Sequence, residues 1–83
     1  MAVEDGVEPV AVRDALRVAQ LDDEVVVEDG RPRYHLAGCP TLDSATVPLP
    51  VSAARRGGFT PCAVCTPDGV LLRRLTDRRS DPA

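Results

Sequence analysis

The fold of this chain is decided by residues 33–67, which read RYHLAGCPTLDSATVPLPVSAARRGGFTPCAVCTP. Two pairs of metal-binding side chains frame this stretch: His35 precedes Cys39 with three residues between them, and Cys62 precedes Cys65 with two between them. Both spacings are typical of zinc ligands, and the intervening segment is long enough to fold and return. Three thiolates and one imidazole complete a tetrahedral shell. The sequence therefore predicts one Zn²⁺ per chain at these four residues.

The composition explains why such a chain needs a metal. It has 83 residues, of which 43% are hydrophobic but only 2% aromatic, so the core lacks large side chains. A domain of this size buries a modest share of its surface and commonly depends on disulfides, a metal or a partner. Three cysteines cannot all pair with one another, which favours a metal over a disulfide framework. We expect a single zinc-binding domain over residues 1–83, with flexible ends at 1–8 and 77–83.

Other interpretations of the cysteines and of His35 stay open at this point. A Cys-x-x-Cys pair also supports thiol redox chemistry, although the chain lacks the βαβ context of thioredoxin-like proteins. In a third interpretation the cysteines are buried small hydrophobic residues and His35 is a hydrogen-bonded surface residue. Within the zinc interpretation, four protein ligands leave no position for a reactive water, which indicates a structural site. Asp43 and Asp68 follow ligands closely, but aspartates in Pro/Gly turns usually bond backbone amides, so we assign no general base.

An α+β fold is predicted from the patterning of the first half. Residues 10–21 mix apolar and charged positions with a helical period, and Pro9 suits the first turn of that helix. Residues 24–28, EVVVE, read as a β-branched strand. The dipeptide Asp29-Gly30 then predicts a two-residue hairpin turn into a return strand over 31–36.

Prolines and alternation place the strands. Pro32 lacks an amide donor, so the return strand is expected at an edge of the sheet. His35 is expected on the face of that strand opposite Tyr34, because consecutive side chains in a strand alternate. Two further prolines exclude a central position for a short third strand at 47–51.

The second half predicts a short helix followed by the metal-binding turn. Ser52 can cap this helix, and Gly57-Gly58 can end it in a left-handed conformation. The Cys-x-x-Cys pair then forms a tight turn, or knuckle, and residues 69–75 form a last helix or strand. The predicted fold is a small zinc-stabilised α+β domain with an N-terminal helix, a β-hairpin plus short third strand, a short helix and the knuckle.

The charges limit the partners. The net charge of −3 disfavours nucleic acid, because binding to phosphates depends on Lys and Arg. All ten basic residues are arginines, and they include the pairs Arg55-Arg56 and Arg73-Arg74. Both arginine pairs are consistent with solvent-exposed surfaces that contact no partner. Alternatively, Arg55 and Arg56 contact a phosphate or a carboxylate partner through forked hydrogen bonds.

The sequence also indicates a compartment. No stretch reaches the roughly 18 consecutive apolar residues that a membrane-spanning helix needs. The acidic start MAVEDGVEPV differs from the basic and then apolar start of a secretory signal. We therefore expect a cytoplasmic protein in a reducing compartment, with no membrane partner.

Two motifs, YHLAGCPTL at 34–42 and VPLPVSAARRGGFTPCAVCTP at 47–67, resemble a known family. They are similar to the small zinc-binding domain at the N-terminus of the Ada methylphosphotriester repair proteins. The resemblance covers about residues 33–67 and implies the same fold and a zinc ion, in a domain that contacts DNA and accepts an alkyl group. In that family the first cysteine ligand is the methyl acceptor. His35 stands at that position, so the resemblance supplies no acceptor thiolate there.

The function predicted from these features is that of a non-enzymatic zinc-binding module with a structural Cys3His site. It would mediate protein interaction through an exposed Val-rich edge or through the N-terminal helix, with an unidentified protein partner. One alternative is an Ada-like DNA-contacting or alkyl-accepting domain, and a weaker one is a thiol redox protein.

Overall fold

The computed structural model describes residues 6–43 and 45–80 as an α+β domain. In chain order these residues form α1 (Val12–Val18), β1 (Glu24–Glu28), β2 (Arg33–His35), β3 (Thr46–Pro50), α2 (Val51–Arg56), β4 (Thr60–Pro61) and α3 (Pro67–Ser80). The predicted fold class is confirmed. In this part of the chain, no helix is long and apolar enough to cross a membrane.

The strands form one mixed sheet in the order β3-β1-β2-β4. β1 is antiparallel to β2 and β3, whereas β4 runs parallel to β2. Pro48 and Pro50 lie in the edge strand β3, as predicted. The expectation of an exposed Val-rich edge is wrong, because β1 is a buried interior strand. The expectation that the return strand lies at an edge is also wrong, because β2 is an interior strand. Pro32 lies just before β2, where its carbonyl accepts the Thr60 amide at 3.0 Å, so it does not interrupt the pairing.

The core lies on one face of this sheet. Tyr34 of β2 and two valines of β1 point to that face and pack against side chains from all three helices. The buried core consists of Val18, Val25, Val27, Tyr34, Val51, Ala54 and Leu71. Val26 pairs with His35 in the register of β1 and β2, and Val27 pairs with Tyr34. Alternation therefore places His35 on the face opposite the core, as predicted from the sequence.

The first helix is shorter than predicted. α1 covers only Val12–Val18, and Pro9 lies outside it. The physical reason is in the preceding segment, where the Glu8 amide donates to the Pro61 carbonyl at 2.8 Å and holds the chain beside β4. Ala11 is still extended, with ψ 147°, so helical geometry begins only after it.

The predicted flexible ends are covered in part. Residues 1–5 and 81–83 lie outside the described residues. Val7 forms an antiparallel bridge with Cys62, and residues 77–80 continue α3. The flexibility of both ends stays a prediction.

The second helix begins without its predicted cap. α2 starts at Val51, and no side chain bonds its first turn from the N-cap position. Backbone carbonyls before β1 take that place: the Val51 amide donates to Asp23 at 2.8 Å and the Ser52 amide to Leu21 at 3.2 Å. Ser52 is therefore not the cap, because the loop carbonyls already accept these first-turn donors.

The end of α2 and the hairpin turn depend on glycines. Gly58 has φ 89°, and the Phe59 amide reaches the Ala54 carbonyl at 3.1 Å, which is the Schellman arrangement expected at a helix end. Gly30 likewise has φ 80°. β2 starts at Arg33, so the hairpin connection is longer than the predicted two residues.

Candidate metal centre

The four predicted ligands meet on one side of the sheet. His35 and Cys62 are 0% exposed, Cys39 is 5% exposed, and Cys65 is partly exposed. One ligand atom from each residue lies within 4.8 Å of the others. A tetrahedral ion with metal–sulfur bonds of about 2.3 Å separates its ligand atoms by roughly 3.8 Å, so the cluster accepts an ion after a small contraction. The interpretation of His35 as a surface residue is wrong, because its side chain is buried.

A tight turn brings Cys39 back to the end of β2. The Cys39 amide donates to the Leu36 carbonyl at 3.1 Å, which closes the turn directly after His35. Gly38 has φ 86°, a conformation that side chains with a Cβ rarely adopt. The three-residue spacing between His35 and Cys39 is thus the length of one turn.

The knuckle directs amides at its sulfurs. The Val64 amide donates to Cys62 Sγ at 3.3 Å, and the Thr66 amide closes the turn on the Cys62 carbonyl at 3.0 Å. From the other ligand pair, the Leu36 amide donates to Cys65 Sγ at 3.3 Å. Amide donors stabilise thiolate charge, so the backbone is arranged for deprotonated sulfurs.

Two neighbouring segments position the knuckle. The Cys62 amide donates to the Tyr34 carbonyl at 3.1 Å, which continues the parallel pairing of β4 with β2. On the other side, the Ala63 amide donates to the Gly6 carbonyl at 2.7 Å. Cys62 is therefore held between β2 and the N-terminal segment.

The pKa values of two of the thiols are shifted in opposite directions. Burial acts to raise the pKa of Cys39, but hydrogen bonds from the Thr41 hydroxyl and amide and from the two other thiols outweigh it, so the pKa is lowered. Burial raises the pKa of Cys65 to about 12, and the charges of Cys62 and Cys39 add to the rise. Three thiolates would repel one another at this distance, and a divalent cation would neutralise them. All three cysteines are free thiols.

A second buried cluster lies on the opposite face of β2. We call Glu8, Tyr34, Arg55 and Asp68 the ionic cluster. The Asp68 carboxylate is fully buried and accepts hydrogen bonds from the Tyr34 hydroxyl and from the Arg55 guanidinium. Arg55 Nε also donates to Tyr34 Oη at 3.0 Å. The cluster joins β2, α2 and α3 through charge-assisted hydrogen bonds.

Glu8 caps the last helix from a distant part of the chain. Its two carboxylate oxygens accept the amides of Asp68 at 2.9 Å and Gly69 at 3.0 Å. Pro67, the first residue of α3, has no amide hydrogen, and the Val70 amide bonds the Thr66 carbonyl at 3.1 Å. All donors of the first turn are thereby satisfied, and a negative side chain lies at the positive end of the helix.

Burial raises the pKa values of two members of the ionic cluster. For Glu8 burial outweighs the two amide hydrogen bonds and the attraction of Arg55, while the negative charge of Asp68 adds to it, so the pKa lies above its ordinary value. For Tyr34 burial raises the pKa, and the hydrogen bond and charge of Asp68 raise it further. Tyr34 is therefore a neutral donor to Asp68.

The arginines and aspartates singled out in the sequence have separate positions. The Arg55 side chain is 23% exposed and turned into the ionic cluster, whereas Arg56 is exposed. The Asp68 carboxylate is committed to Tyr34 and Arg55, and the Asp43 side chain is 78% exposed. Neither aspartate is among the four side chains of the metal cluster.

Sequence reasoning missed the ionic cluster as a unit. Its members lie in four separate segments, and Glu8 falls in an acidic N-terminal stretch with no distinguishing motif. Pro67-Asp68-Gly69 reads as a turn, which conceals the helix start there. Thr66-Pro67, a capping residue followed by a proline, could have indicated the start of the helix, but nothing in the sequence points to the carboxylate of Glu8.

No family model, no curated protein and no solved structure matches this chain.

Proposed function

We propose that the chain is a non-enzymatic module whose fold is stabilised by one structural Zn²⁺ at His35, Cys39, Cys62 and Cys65. The observation that carries this proposal is the convergence of one imidazole and three thiols within 4.8 Å. Three sulfurs and one nitrogen in a tetrahedral arrangement are a common structural zinc set. Four protein ligands leave no position for a water or a substrate, which supports a structural role.

The small core supports the same conclusion. Its largest buried apolar side chain besides Tyr34 is Leu71, and most of the remaining members are valines. Binding of zinc by small modules contributes an apparent free energy of about 10 kcal/mol to folding. That exceeds the few kcal/mol, roughly 3–5, that a core in so short a chain supplies by itself.

The test is metal analysis combined with unfolding. We expect one zinc per chain in purified protein, loss of the circular dichroism of the folded domain on addition of EDTA, and recovery when zinc is restored. Magnesium addition is the control for recovery. A chain that keeps its full cooperative unfolding transition at an unchanged midpoint after zinc removal would contradict the proposal.

An interaction role is supported by the outer face of α1. Val12 is 77% exposed and Leu16 is 61% exposed, and they lie one helical turn apart. These two neighbouring side chains offer a small apolar surface to a partner. The test is quantitative affinity capture with the wild type and with a Val12→Asp/Leu16→Asp variant, with Arg13→Asp as the control. If the captured partners bind the wild type and the Val12→Asp/Leu16→Asp variant equally, the outer face of α1 is not the contact surface.

The DNA-contacting alternative is separated by a different pair of measurements. Arg56 is exposed at the end of α2, which precedes β4 and the knuckle in the chain, and offers a cation to a phosphate. A salt-sensitive gel shift that Arg56→Ala abolishes, or a methyl group on Cys39, Cys62 or Cys65 after a methylating agent, would support this alternative. Absence of both results would remove it.

A further inference from the structure

The hydroxyl of Thr41 lies between two of the four candidate ligands. Its Oγ1 is 3.1 Å from Cys39 Sγ and 3.4 Å from His35 Nδ1. A hydroxyl has one hydrogen to donate and two lone pairs to accept with, so it can serve both neighbours at once only if one donates to it.

The chemistry of a loaded site fixes the direction of these two hydrogen bonds. A thiolate ligand has no proton, so Cys39 can only accept from the Thr41 hydroxyl. A neutral imidazole carries one proton, which lies on the nitrogen that does not bind the ion. If Nδ1 donates its proton to Thr41 Oγ1, the nitrogen that binds the ion is Nε2.

We propose that Thr41 is a positioning residue of the zinc site, which directs His35 to bind through Nε2 and joins His35 to Cys39 by a two-bond relay. This inference rests on the proposed zinc site and adds a residue that is not itself a ligand. Partners of this kind fix the orientation and tautomer of a metal-binding histidine.

The loop around Thr41 is held in place by a buried carboxylate. Arg31 Nη1 donates to the Thr41 carbonyl at 3.1 Å and to Glu28 Oε1 at 3.2 Å. The Glu28 side chain is 0% exposed, and its other oxygen accepts the Asp43 amide at 3.3 Å. Glu28 therefore ties the loop to the end of β1 at Asp43 directly and at the Thr41 carbonyl through Arg31, which restricts the position of the Thr41 hydroxyl.

The first test compares the zinc affinities of three variants by competition with a chromophoric chelator. Thr41→Val keeps the shape and removes the hydroxyl, Thr41→Ser keeps the hydroxyl, and Thr46→Val makes the same change on the exposed strand β3. Loss of a residue that hydrogen-bonds to a metal ligand typically weakens metal binding about 10–100-fold. We expect that loss in Thr41→Val, near-wild-type affinity in Thr41→Ser, and no change in Thr46→Val.

The second test locates the zinc on His35 in the wild type and checks the fold of the Thr41→Val variant. Long-range ¹H–¹⁵N NMR of the zinc-loaded wild type should show a protonated Nδ1 and a metal-bound Nε2 on His35, and the circular dichroism of zinc-saturated Thr41→Val should match the wild type. Zinc on Nδ1, or equal affinities of Thr41→Val and Thr46→Val, would overturn the inference while leaving the structural zinc intact. A wild-type chain that binds no zinc would instead remove the proposed function itself.

Discussion

The two buried polar clusters of this domain start from adjacent residues of one strand. His35 points to one face of β2 and enters the candidate metal centre, whereas Tyr34 points to the other and enters the ionic cluster. Both clusters hold the segment that contains the knuckle, since Cys62 belongs to the first and Asp68 follows Cys65 closely. They differ in how they are built, because one gathers four side chains that could hold an ion and the other satisfies its charges within the protein.

This difference predicts different consequences of damage. In the proposed zinc site three thiolates depend on the cation, so losing one ligand removes most of the stabilisation of the site at once. In the ionic cluster each contact is a hydrogen bond or an ion pair between protein groups, and losing one leaves the others in place. We expect the metal centre to respond as a unit and the ionic cluster to respond in steps.

The largest effect is expected from Cys62→Ser. This change should abolish stoichiometric zinc binding and, with it, an apparent stabilisation of about 10 kcal/mol, so the chain should lack a cooperative thermal transition. Zinc content and circular dichroism measure both outcomes. The matched control is Ser52→Ala on α2, which should keep zinc and the transition. A folded Cys62→Ser chain with one tightly bound zinc would show that Cys62 is not a required ligand.

The second effect is expected from Asp68→Asn. Removing one partner of a buried ion pair costs about 3–5 kcal/mol, and we expect the lower end because Arg55 is partly exposed and can rehydrate. Urea unfolding of the zinc-loaded protein measures this loss. The control is Asp77→Asn, exposed on the same helix, for which a change within about 0.5 kcal/mol is expected.

Zinc stoichiometry of the same variant tests the comparison itself. Asp68→Asn should still bind one zinc per chain, because none of the four candidate ligands contacts the Asp68 carboxylate through a described hydrogen bond. Loss of zinc from Asp68→Asn would mean that the two clusters act as one unit across β2.

The two clusters also differ in how well the sequence predicts them. Cys, His and their spacings are restricted to few uses, so Cys62-x-x-Cys65 and His35 indicate a site from the sequence alone. The edge position of β3 and the end of α2 at Gly58 were predictable because proline and glycine limit the backbone, and the fold class was predictable from the pattern of apolar residues. Each of these signals is local.

Long-range contacts decided what the sequence could not predict. Glu8 has no neighbour in the sequence that marks it as a helix cap, because the amides it accepts lie some 60 residues away. Ser52 is a good local cap, but carbonyls of the loop before β1 already accept the donors of α2. Arg55 reads as a surface charge until Asp68 is placed beside it.

A smaller effect is expected from Glu8→Gln. In Glu8→Gln one of the two oxygens that accept the amides of Asp68 and Gly69 is replaced by an NH2 group, which cannot accept them, and this should cost about 1 kcal/mol. The pKa of Glu8 is raised in the fold above its ordinary 4.5, so the stability that it contributes is full below that value and is lost as pH rises through the folded pKa.

The advantage of wild type over Glu8→Gln should therefore shrink as pH increases. Urea unfolding of both zinc-loaded proteins between about pH 5 and 8 measures it, and the pH dependence of zinc binding cancels in the difference. Glu24→Gln, exposed in β1, is the control and should show no such trend. A difference that grows with pH would contradict the raised pKa.

The smallest effect tests whether Glu8 is held firmly enough to exclude a methyl group. A Cβ at Gly69 would lie 3.1 Å from Glu8 Oε2, a crowded distance. Alanine normally stabilises a helix by about 1 kcal/mol over glycine, so Gly69→Ala should be near neutral in the wild type and stabilising in a Glu8→Ala background. The coupling measured by this double-mutant cycle should be about 0.5–1 kcal/mol. Equal effects of Gly69→Ala in both backgrounds would show that the Glu8 side chain moves aside, and that the cap is looser than its two hydrogen bonds imply.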